Sequence, residues 1–242
     1  MAGKAGGDLW ASGLSAAEQA SERRLVRLVV LAALVTGLAG AAAFAVWPDL
    51  DLSLAGSLRA DGGFLLRGSA LWSFLRDVNM VLYGLFYLAV LIGLLAALRH
   101  RAAFFGLEPV RWLYLLLASL AGPLLVTNII LKDHVGRPRP RDVTEFGGTL
   151  DFHQWFEWGG KCSDNCSFVS GEVSSMVMMV TSLAFAAPRW RRPLALALPP
   201  AWFYAAYMRA GQGAHFPSDT FLAGIFMILI AALCYRWTVL AR

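Results

Sequence analysis

Long apolar runs constrain this sequence more than any other feature. Six of them are long enough, or nearly so, to cross the roughly 30 Å hydrocarbon core of a bilayer as helices. The chain is 58% hydrophobic and only 15% charged, and this apolar excess points to lipid as the solvent. The prediction is an all-α, polytopic membrane protein with a single domain over residues 1–242. The stretches are Leu25–Trp47, Met80–Leu98, Trp112–Leu131, Phe168–Ala187, Leu194–Met208 and Pro217–Val239.

Arginine clusters beside these runs predict how the chain is oriented. If six helices alternate, all the clusters fall on one side, and the positive-inside rule makes that side the cytoplasm. Both ends of the chain, including segment 1–24, are then cytoplasmic, and loop 132–167 is periplasmic in a bacterial inner membrane. The first run is expected to be an uncleaved membrane helix rather than a signal peptide. The clusters are Arg23, Arg24 and Arg27; Arg99, Arg101 and Arg111; Arg189, Arg191 and Arg192; and Arg236 with Arg242.

The remaining charge and the cysteines argue against several other classes of protein. The net charge of +5 does not indicate nucleic-acid binding, because most of the basic residues flank apolar runs. Cys162 and Cys166 share a short polar segment and are too few to hold zinc without further ligands. If that segment faces an oxidising compartment, a small disulfide loop is expected. Residues 48–79 are expected to form either an amphipathic element lying on the membrane surface or an ordinary connecting loop.

Three polar clusters stand at the ends of the predicted helices. The first is KDHVGRPRP over residues 132–140, the second is VSGE over residues 169–172, and the third is RAGQGAHFPSD over residues 209–219. Alternation of the helices places all three on the same face of the membrane. The motifs are defined by residue type and spacing alone, so their agreement with the alternation of the helices supports a common site.

The cations and small residues of these clusters suit a phosphate group. Lys132 supplies a point charge, while Arg139 and Arg209 supply planar forks that can bind phosphate through two bonds each. Ser170 occupies an N-cap position, and Gly171 lets backbone N–H groups approach an anion closely. Neither a metal ion nor a cofactor is required by this arrangement.

His215 is the candidate nucleophile. Asp219 is expected in the first turn of the sixth helix, where it could reach back to one ring nitrogen and leave the other nitrogen basic. The cations would stabilise the charge that spreads over the phosphoryl oxygens in the transition state. A histidine followed four residues later by an aspartate is a weak signal alone, but the ordered combination of all three clusters is not.

The three clusters together resemble the signature of the type 2 phosphatidic acid phosphatase superfamily. The family pattern is Lys-x6-Arg-Pro, then Pro-Ser-Gly-His, then Ser-Arg-x5-His-x3-Asp. The resemblance implies a six-helix bundle and a phosphohistidine intermediate. Val169 and Met208 depart from the pattern at positions where packing or capping changes are tolerable. The resemblance assigns phosphate binding to Lys132, Arg139 and Arg209, the rest of the pocket to Ser170 and Gly171, and the nucleophile pair to His215 and Asp219.

Glu172 is the more serious departure, because the family has at this position a histidine that protonates the leaving group. Neighbouring cations favour the ionised carboxylate, which makes Glu172 a poor proton donor near neutral pH. Either burial offsets this effect, or another group such as His134 donates the proton. A third option is that the leaving group needs little help, as in a diphosphate lipid or an anomeric sugar phosphate.

These observations predict a metal-independent phosphatase that acts on a phospholipid or a phosphorylated glycolipid in the bilayer. The string Ser-Phe-Val-Ser-Gly-Glu is similar to family members that dephosphorylate lipid A, which favours a lipid A 1- or 4′-phosphatase. The alternatives are a phosphatase of polyprenyl diphosphate or phosphatidylglycerophosphate, a lipid phosphotransferase, and a non-catalytic lipid-binding membrane protein. The pattern does not predict an oligomeric state.

Overall fold

Long helices form most of the molecule, and each of the six predicted apolar stretches corresponds to one of them. The computed structural model describes residues 9–241 except for the side chain of Asp133. Lys4, Arg242 and the first part of segment 1–24 therefore lie outside the described residues. In chain order the helices are α1 (Ala16–Val46), α2 (Asp49–Gly56), α3 (Ala70–His100), α4 (Pro109–Ser119), a π-helix (Leu120–Leu131), α5 (Lys132–Val135), α6 (Gly171–Ala186), α7 (Arg191–Gly211) and α8 (Pro217–Thr238).

Four helical segments of the described chain are each long and apolar enough to cross a membrane. They are α1, α3, α8 and the continuous segment Pro109–Leu131. Helix α6 passes the same test only together with Pro188–Gly211, from which it is bent by 117°. The most apolar windows of α1 and α3 have only 17% and 28% of their residues buried, so these helices turn leucines and valines outward. The molecule is thus a multi-pass helical membrane protein. The six membrane crossings and the cytoplasmic location of both ends of the chain remain predictions.

Contacts between helices define two ends of the bundle. At the distal end, Glu22 of α1 accepts two hydrogen bonds from Arg191 of α7, at 2.8 and 2.9 Å. Tyr235 of α8 lies 3.3 Å from the same carboxylate, and Arg111 of α4 donates to the carbonyl of Ala186 in α6 at 3.0 Å. The three predicted polar clusters lie at the opposite end, which we call the site end. The long helices therefore alternate in direction through the bundle.

Helix α3 begins ten residues earlier than the apolar run Met80–Leu98 indicated, at Ala70. Its first turns carry Arg76 and Asn79, whose polarity lowers the hydropathy of the segment without opposing a helix. Asn79 is buried and donates to the hydroxyl of Tyr204 in α7 at 2.9 Å. The early start places a polar helical face at the site end, where a loop was expected.

The segment between α1 and α3 covers the loop that carries His215. It contains α2 and a small hairpin of strands β1 (Arg59–Ala60) and β2 (Gly63–Phe64). Phe64 packs against Gly213, whose φ of +63° and lack of a side chain permit the contact. The Leu66 N–H donates to the Gly211 carbonyl at 2.9 Å. This part of 48–79 is thus a packed cover rather than a free connection.

A second loop, held by backbone bonds, completes the site end. Cys162 and Cys166 are joined by a disulfide, with their Cα atoms 5.8 Å apart. The Cys162 N–H donates to the Gly136 carbonyl at 3.1 Å, and the Ser167 N–H donates to the Arg137 carbonyl at 2.8 Å. These bonds tie the disulfide loop to the segment after α5, and so fix Arg137 and Ser167 relative to each other.

Candidate active site

A cavity of about 210 Å³ opens at the site end, between the starts of α3 and α6 and the ends of the π-helix and α7. It brings together five of the residues that the sequence singled out, from three separate clusters. Arg76, Asn128 and Asn165 also line it, and none of them was predicted. The five predicted residues at the cavity are Lys132, Arg139, Gly171, Glu172 and Arg209.

The cations of this cavity are held by neighbouring carbonyl groups. Arg139 is 8% exposed and donates from Nε to the Asn165 carbonyl at 2.9 Å, with a second bond from Nη2 to the same oxygen. Burial, and then the charge of Arg141, lowers the pKa of the Arg139 guanidinium, which still stays protonated at physiological pH. Lys132 Nζ donates to Asn165 Oδ1 at 3.4 Å. Asn165 therefore links two cations that lie seven residues apart in the first motif.

The start of α6 forms one wall of the cavity. Ser170 is the N-cap residue, fully buried, and its hydroxyl accepts from the Val173 N–H at 3.5 Å. A Cβ on Gly171 would lie 3.4 Å from Lys132 Nζ, so the glycine backbone stands directly beside the ammonium group. The first N–H groups of a helix lack partners within the helix and favour anions. Ser170 itself does not line the cavity.

His215 is buried, and its two ring nitrogens have different environments. Nδ1 lies 2.6 Å from the carbonyl oxygen of Ser167, and because a carbonyl only accepts, Nδ1 carries the proton. Nε2 then holds a lone pair, and this atom has no hydrogen-bond partner within residues 9–241. Burial, and then the charges of Arg209, Lys132 and Arg139, lowers the pKa of the His215 ring well below its ordinary value. The ring is thus neutral and has a free lone pair at Nε2, although it is 1% exposed and does not itself line the cavity.

The prediction that Asp219 bonds to a ring nitrogen of His215 is wrong. The Ser167 carbonyl, not Asp219, accepts the hydrogen bond from Nδ1. Asp219 Oδ2 accepts from the Phe216 N–H at 2.8 Å and from the Ser167 hydroxyl. Its other oxygen accepts from Arg137. The aspartate therefore caps α8 and acts on the histidine only through Ser167, whose side chain it binds and whose carbonyl orients the ring.

Arg137 and Asp51 form a buried network behind the nucleophile that sequence reasoning missed. Arg137 is fully buried, and its Nη2 donates to Asp51 Oδ2 at 2.8 Å while Nη1 donates to Ser218 Oγ at 2.8 Å. The guanidinium lies 4.4 Å above the centre of the Phe216 ring. Arg137 was available from the first motif as an extra cation, but Asp51 lies in α2, and only the tertiary structure pairs them.

Glu172 neutralises part of the positive cavity. Its Oε1 accepts from Arg76 Nε at 3.1 Å, and its Oε2 lies 3.4 Å from Arg209 Nε. Two guanidinium contacts favour the ionised carboxylate, which has no proton to give. His134, the other candidate donor, is exposed, lies outside the cavity lining and donates from Nδ1 to the Ile130 carbonyl at 2.8 Å.

Apolar helices long enough to cross a membrane, with a cavity lined by cations at one end, suit a membrane-embedded phosphatase. Comparison with known families agrees with this class. The model of the PAP2 superfamily matches residues 111–242, and the chain belongs to this superfamily. It is accordingly a hydrolase of phosphoric monoesters.

Curated relatives cover most of the chain. A lipid A 4′-phosphatase of Rhizobium leguminosarum is 34% identical over 190 residues, which is 78% of this chain and 81% of the relative. A lipid A 4′-phosphatase of Rhizobium etli is 35% identical over 71% of this chain and 67% of its own length. One from Francisella tularensis subsp. novicida is 31% identical over 80% of this chain and 90% of its own length. No solved structure gives a significant match.

Proposed function

We propose that the protein removes the 4′-phosphate from lipid A through a phosphohistidine intermediate at His215. The observation that carries the proposal is the unpartnered Nε2 of a neutral ring, on which the charges of three phosphate-binding cations act. The names of the relatives support lipid A and the 4′ position over the 1 position. Such a substrate is a lipid, which agrees with a site at the end of apolar helices.

The reaction begins when a phosphate enters the cavity between Lys132, Arg139 and Arg209. The entering anion displaces the Glu172 carboxylate from Arg209, and its phosphorus then comes within reach of the buried ring of His215. Nε2 then attacks phosphorus, the N–P bond forms and the bond from phosphorus to the sugar oxygen breaks. The cations stabilise the charge on the transferring oxygens.

The leaving oxygen needs a proton, because a 4′-phosphate sits at a non-anomeric position and leaves an ordinary alcohol. Since Glu172 is held as a carboxylate, water in the open cavity supplies this proton. The hydroxide that this water leaves then attacks phosphorus, the N–P bond breaks, and hydrogen phosphate and the neutral imidazole are released. The Ser167 carbonyl keeps Nδ1 protonated throughout and so keeps Nε2 as the reacting atom.

An apolar groove continues from the phosphate cavity and suits an acyl chain. It encloses about 470 Å³ between α3 and the segment Pro109–Leu131 and shares Met80, Asn128 and Ser175 with the phosphate cavity. A substrate with its phosphate among the cations could thus lay a chain along Tyr83 and Leu120. This continuity supports a lipid substrate over a soluble phosphate ester.

The test is a phosphate-release assay with lipid A labelled in its 4′-phosphate. Free labelled phosphate, and an acid-labile labelled protein that is absent from His215→Ala, are expected. Lipid A labelled at the 1-phosphate, polyprenyl diphosphate, phosphatidylglycerophosphate and phosphatidic acid serve as competing substrates. Label passed to another lipid would identify a phosphotransferase, and turnover by His215→Ala close to wild type would exclude this nucleophile.

We also place the active site on the periplasmic side of the inner membrane. Within the described residues, the distal end carries the arginine clusters, which the positive-inside rule assigns to the cytoplasm. The site end carries the disulfide, which suits an oxidising compartment. Alternation of the long helices between these ends supports a topology with six crossings.

A further inference from the structure

A second cationic pocket adjoins the phosphate cavity, and the reaction above uses only two of its residues, Arg139 and Arg209, which line both spaces. It encloses about 340 Å³ and is lined by nine residues, of which five are arginines and none is acidic. Three of these arginines also line the phosphate cavity, so the two spaces share a wall. The lining residues are Leu66, Arg67, Gly68, Ser73, Arg76, Arg139, Arg141, Arg209 and Gln212.

The positive charge of this pocket is only partly balanced. Within the described residues, its arginines approach three carboxylates, those of Asp77, Asp142 and Glu172, in ion pairs. Two of these are long surface contacts of 3.8 Å that involve the exposed Asp77 and Asp142, and such pairs contribute little. Arg67 forms no ion pair among residues 9–241. Excess guanidinium groups around a shared space favour an anion.

One phosphate group does not account for all of these cations. The reacting phosphate already meets Lys132, Arg139 and Arg209 in its own cavity. Arg67 and Arg141 line only the second pocket, together with Gln212. Gln212 accepts from Arg209 Nη1 at 2.8 Å, which directs its amide N–H groups away from that cation. A second anionic group would therefore find two further forks and an amide donor beside the first.

We propose that Arg67, Arg141 and Gln212 form a second anion site, which binds another anionic group of the same lipid molecule. This rests on the proposed function, since it makes the preferred substrate a lipid with a further phosphate or carboxylate close to the phosphate that is removed. The arginines shared by both spaces bridge the two groups. A lipid with a single phosphate fills only the catalytic cavity.

The test compares alkane bisphosphonates of increasing chain length with matched monophosphonates. Binding is read from the rise in melting temperature of the purified protein, which needs no turnover. The best bisphosphonate is expected to bind at least about tenfold more tightly than its monophosphonate. Arg67→Ala and Arg141→Ala should each remove most of that advantage and change monophosphonate binding by less than about twofold. Arg24→Ala, which removes an exposed charge at the distal end, is the matched control and should leave both affinities unchanged.

Several results would overturn the second site. Equal affinity of wild type for the two ligand classes would do so, as would equal weakening of both classes by the arginine variants. If inorganic phosphate raises the melting temperature further above saturating monophosphonate while linked groups bring no advantage, the pocket takes a separate anion. Retained monophosphonate binding shows that each variant is folded. Failure of the proposed function would appear separately, as absence of phosphate release from lipid A.

Discussion

At the residue scale, the site depends on which hydrogen bond each group makes. The Ser167 carbonyl fixes the proton of His215 on Nδ1 and so exposes the lone pair of Nε2 to chemistry. Glu172 occupies two arginines that a phosphate would otherwise use. The cavity therefore holds an internal anion that a substrate has to replace, while the candidate nucleophile lies buried outside the cavity lining.

Replacing Glu172 by glutamine tests whether it donates a proton. Since the carboxylate is already ionised, Glu172→Gln should change kcat by less than about threefold, whereas loss of a general acid lowers rates about 100-fold or more. KM should fall several-fold, because the cavity loses a competing negative charge. Steady-state kinetics on lipid A would measure both. Asp77→Asn, which removes the exposed partner of Arg76, is the control; a large fall in kcat for Glu172→Gln alone would establish it as the acid.

Burial of a neutral His215 predicts how stability depends on pH. Its pKa lies well below 6.5 in the folded protein and near 6.5 after unfolding, so between these values only the unfolded chain binds a proton. The free energy of unfolding should therefore fall as pH drops through 6.5, by at most about 1.4 kcal/mol per pH unit. His215→Asn keeps a donor for the Ser167 carbonyl and lacks this titration. Between about pH 8 and pH 5, acidification should lower the melting temperature of wild type more than that of His215→Asn, so that the two values converge. Parallel curves for the two proteins would contradict the prediction.

At the scale of elements, the short segments between helices build the site as much as the helices do. Helix α2 brings Asp51 under α8, where it accepts from the Ser218 N–H at 2.9 Å and pairs with Arg137. The π-helix contains Pro123, and Asn128 donates to the carbonyl of that proline at 2.7 Å. Pro123 lacks a backbone donor, and the wider helix accommodates it while presenting Asn128 to the cavity, next to Lys132 at the start of α5.

Loss of the Asp51 charge should destabilise the site end. Arg137 is fully buried between Asp51 and Asp219, and removal of one partner from a buried pair costs about 3–5 kcal/mol. Asp51→Asn should therefore lower the melting temperature strongly. Asp49→Asn removes an exposed carboxylate from the same helix and should have an effect within about 0.5 kcal/mol. Equal melting temperatures for the two variants would mean that the network does not hold α2 to α8.

The groove between α3 and the π-helix predicts a dependence on acyl chains. A Cβ at Gly84 would meet no atom within 4 Å, so larger side chains there enter the groove without a clash inside the protein. Gly84→Leu should raise KM for a long-chain lipid substrate about tenfold and leave hydrolysis of a water-soluble phosphate ester unchanged. Gly84→Ala should show a smaller effect in the same direction. Equal loss toward both substrates would indicate damage to the fold rather than a filled groove.

At the scale of the whole molecule, an apolar belt separates two polar ends with different tasks. The distal end is closed by the partly buried pair of Glu22 with Arg191, so part of its basic charge is structural. The site end is open through two connected cationic spaces. Exposed leucines on α1 and α3 form an apolar surface between these ends that suits contact with lipid.

This arrangement predicts opposite accessibility of the two ends in cells. In a background with Cys234→Ala, Glu145→Cys at the site end should react with a membrane-impermeant maleimide applied to the periplasm. Arg189→Cys at the distal end should react only after the cells are lysed. Both positions are exposed, so a difference reports the side of the membrane rather than burial. The reverse pattern would place the site in the cytoplasm.

Local sequence patterns were enough to predict the class of fold and several residues of the candidate site. Apolar runs longer than a soluble core requires dictate membrane helices, because an unpaired backbone is too costly in lipid. Motifs with fixed spacing at helix ends predicted five residues that the structure places around one cavity. Local signals of this kind depend on neighbours along the chain, and a reader of the sequence has access to those.

Side-chain pairs between distant segments of the chain became apparent only in the folded structure. Asp51 and Arg137 are 86 residues apart, as Arg76 and Glu172 are 96 apart, and no local pattern announces either pair. The start of α3 at Ala70 was hidden because its polar first turns face the site rather than lipid. Asp219 was close enough in sequence to reach His215, but its carboxylate is taken up by Arg137, Ser167 and the Phe216 N–H. Competition among buried polar groups for a few partners is settled in three dimensions.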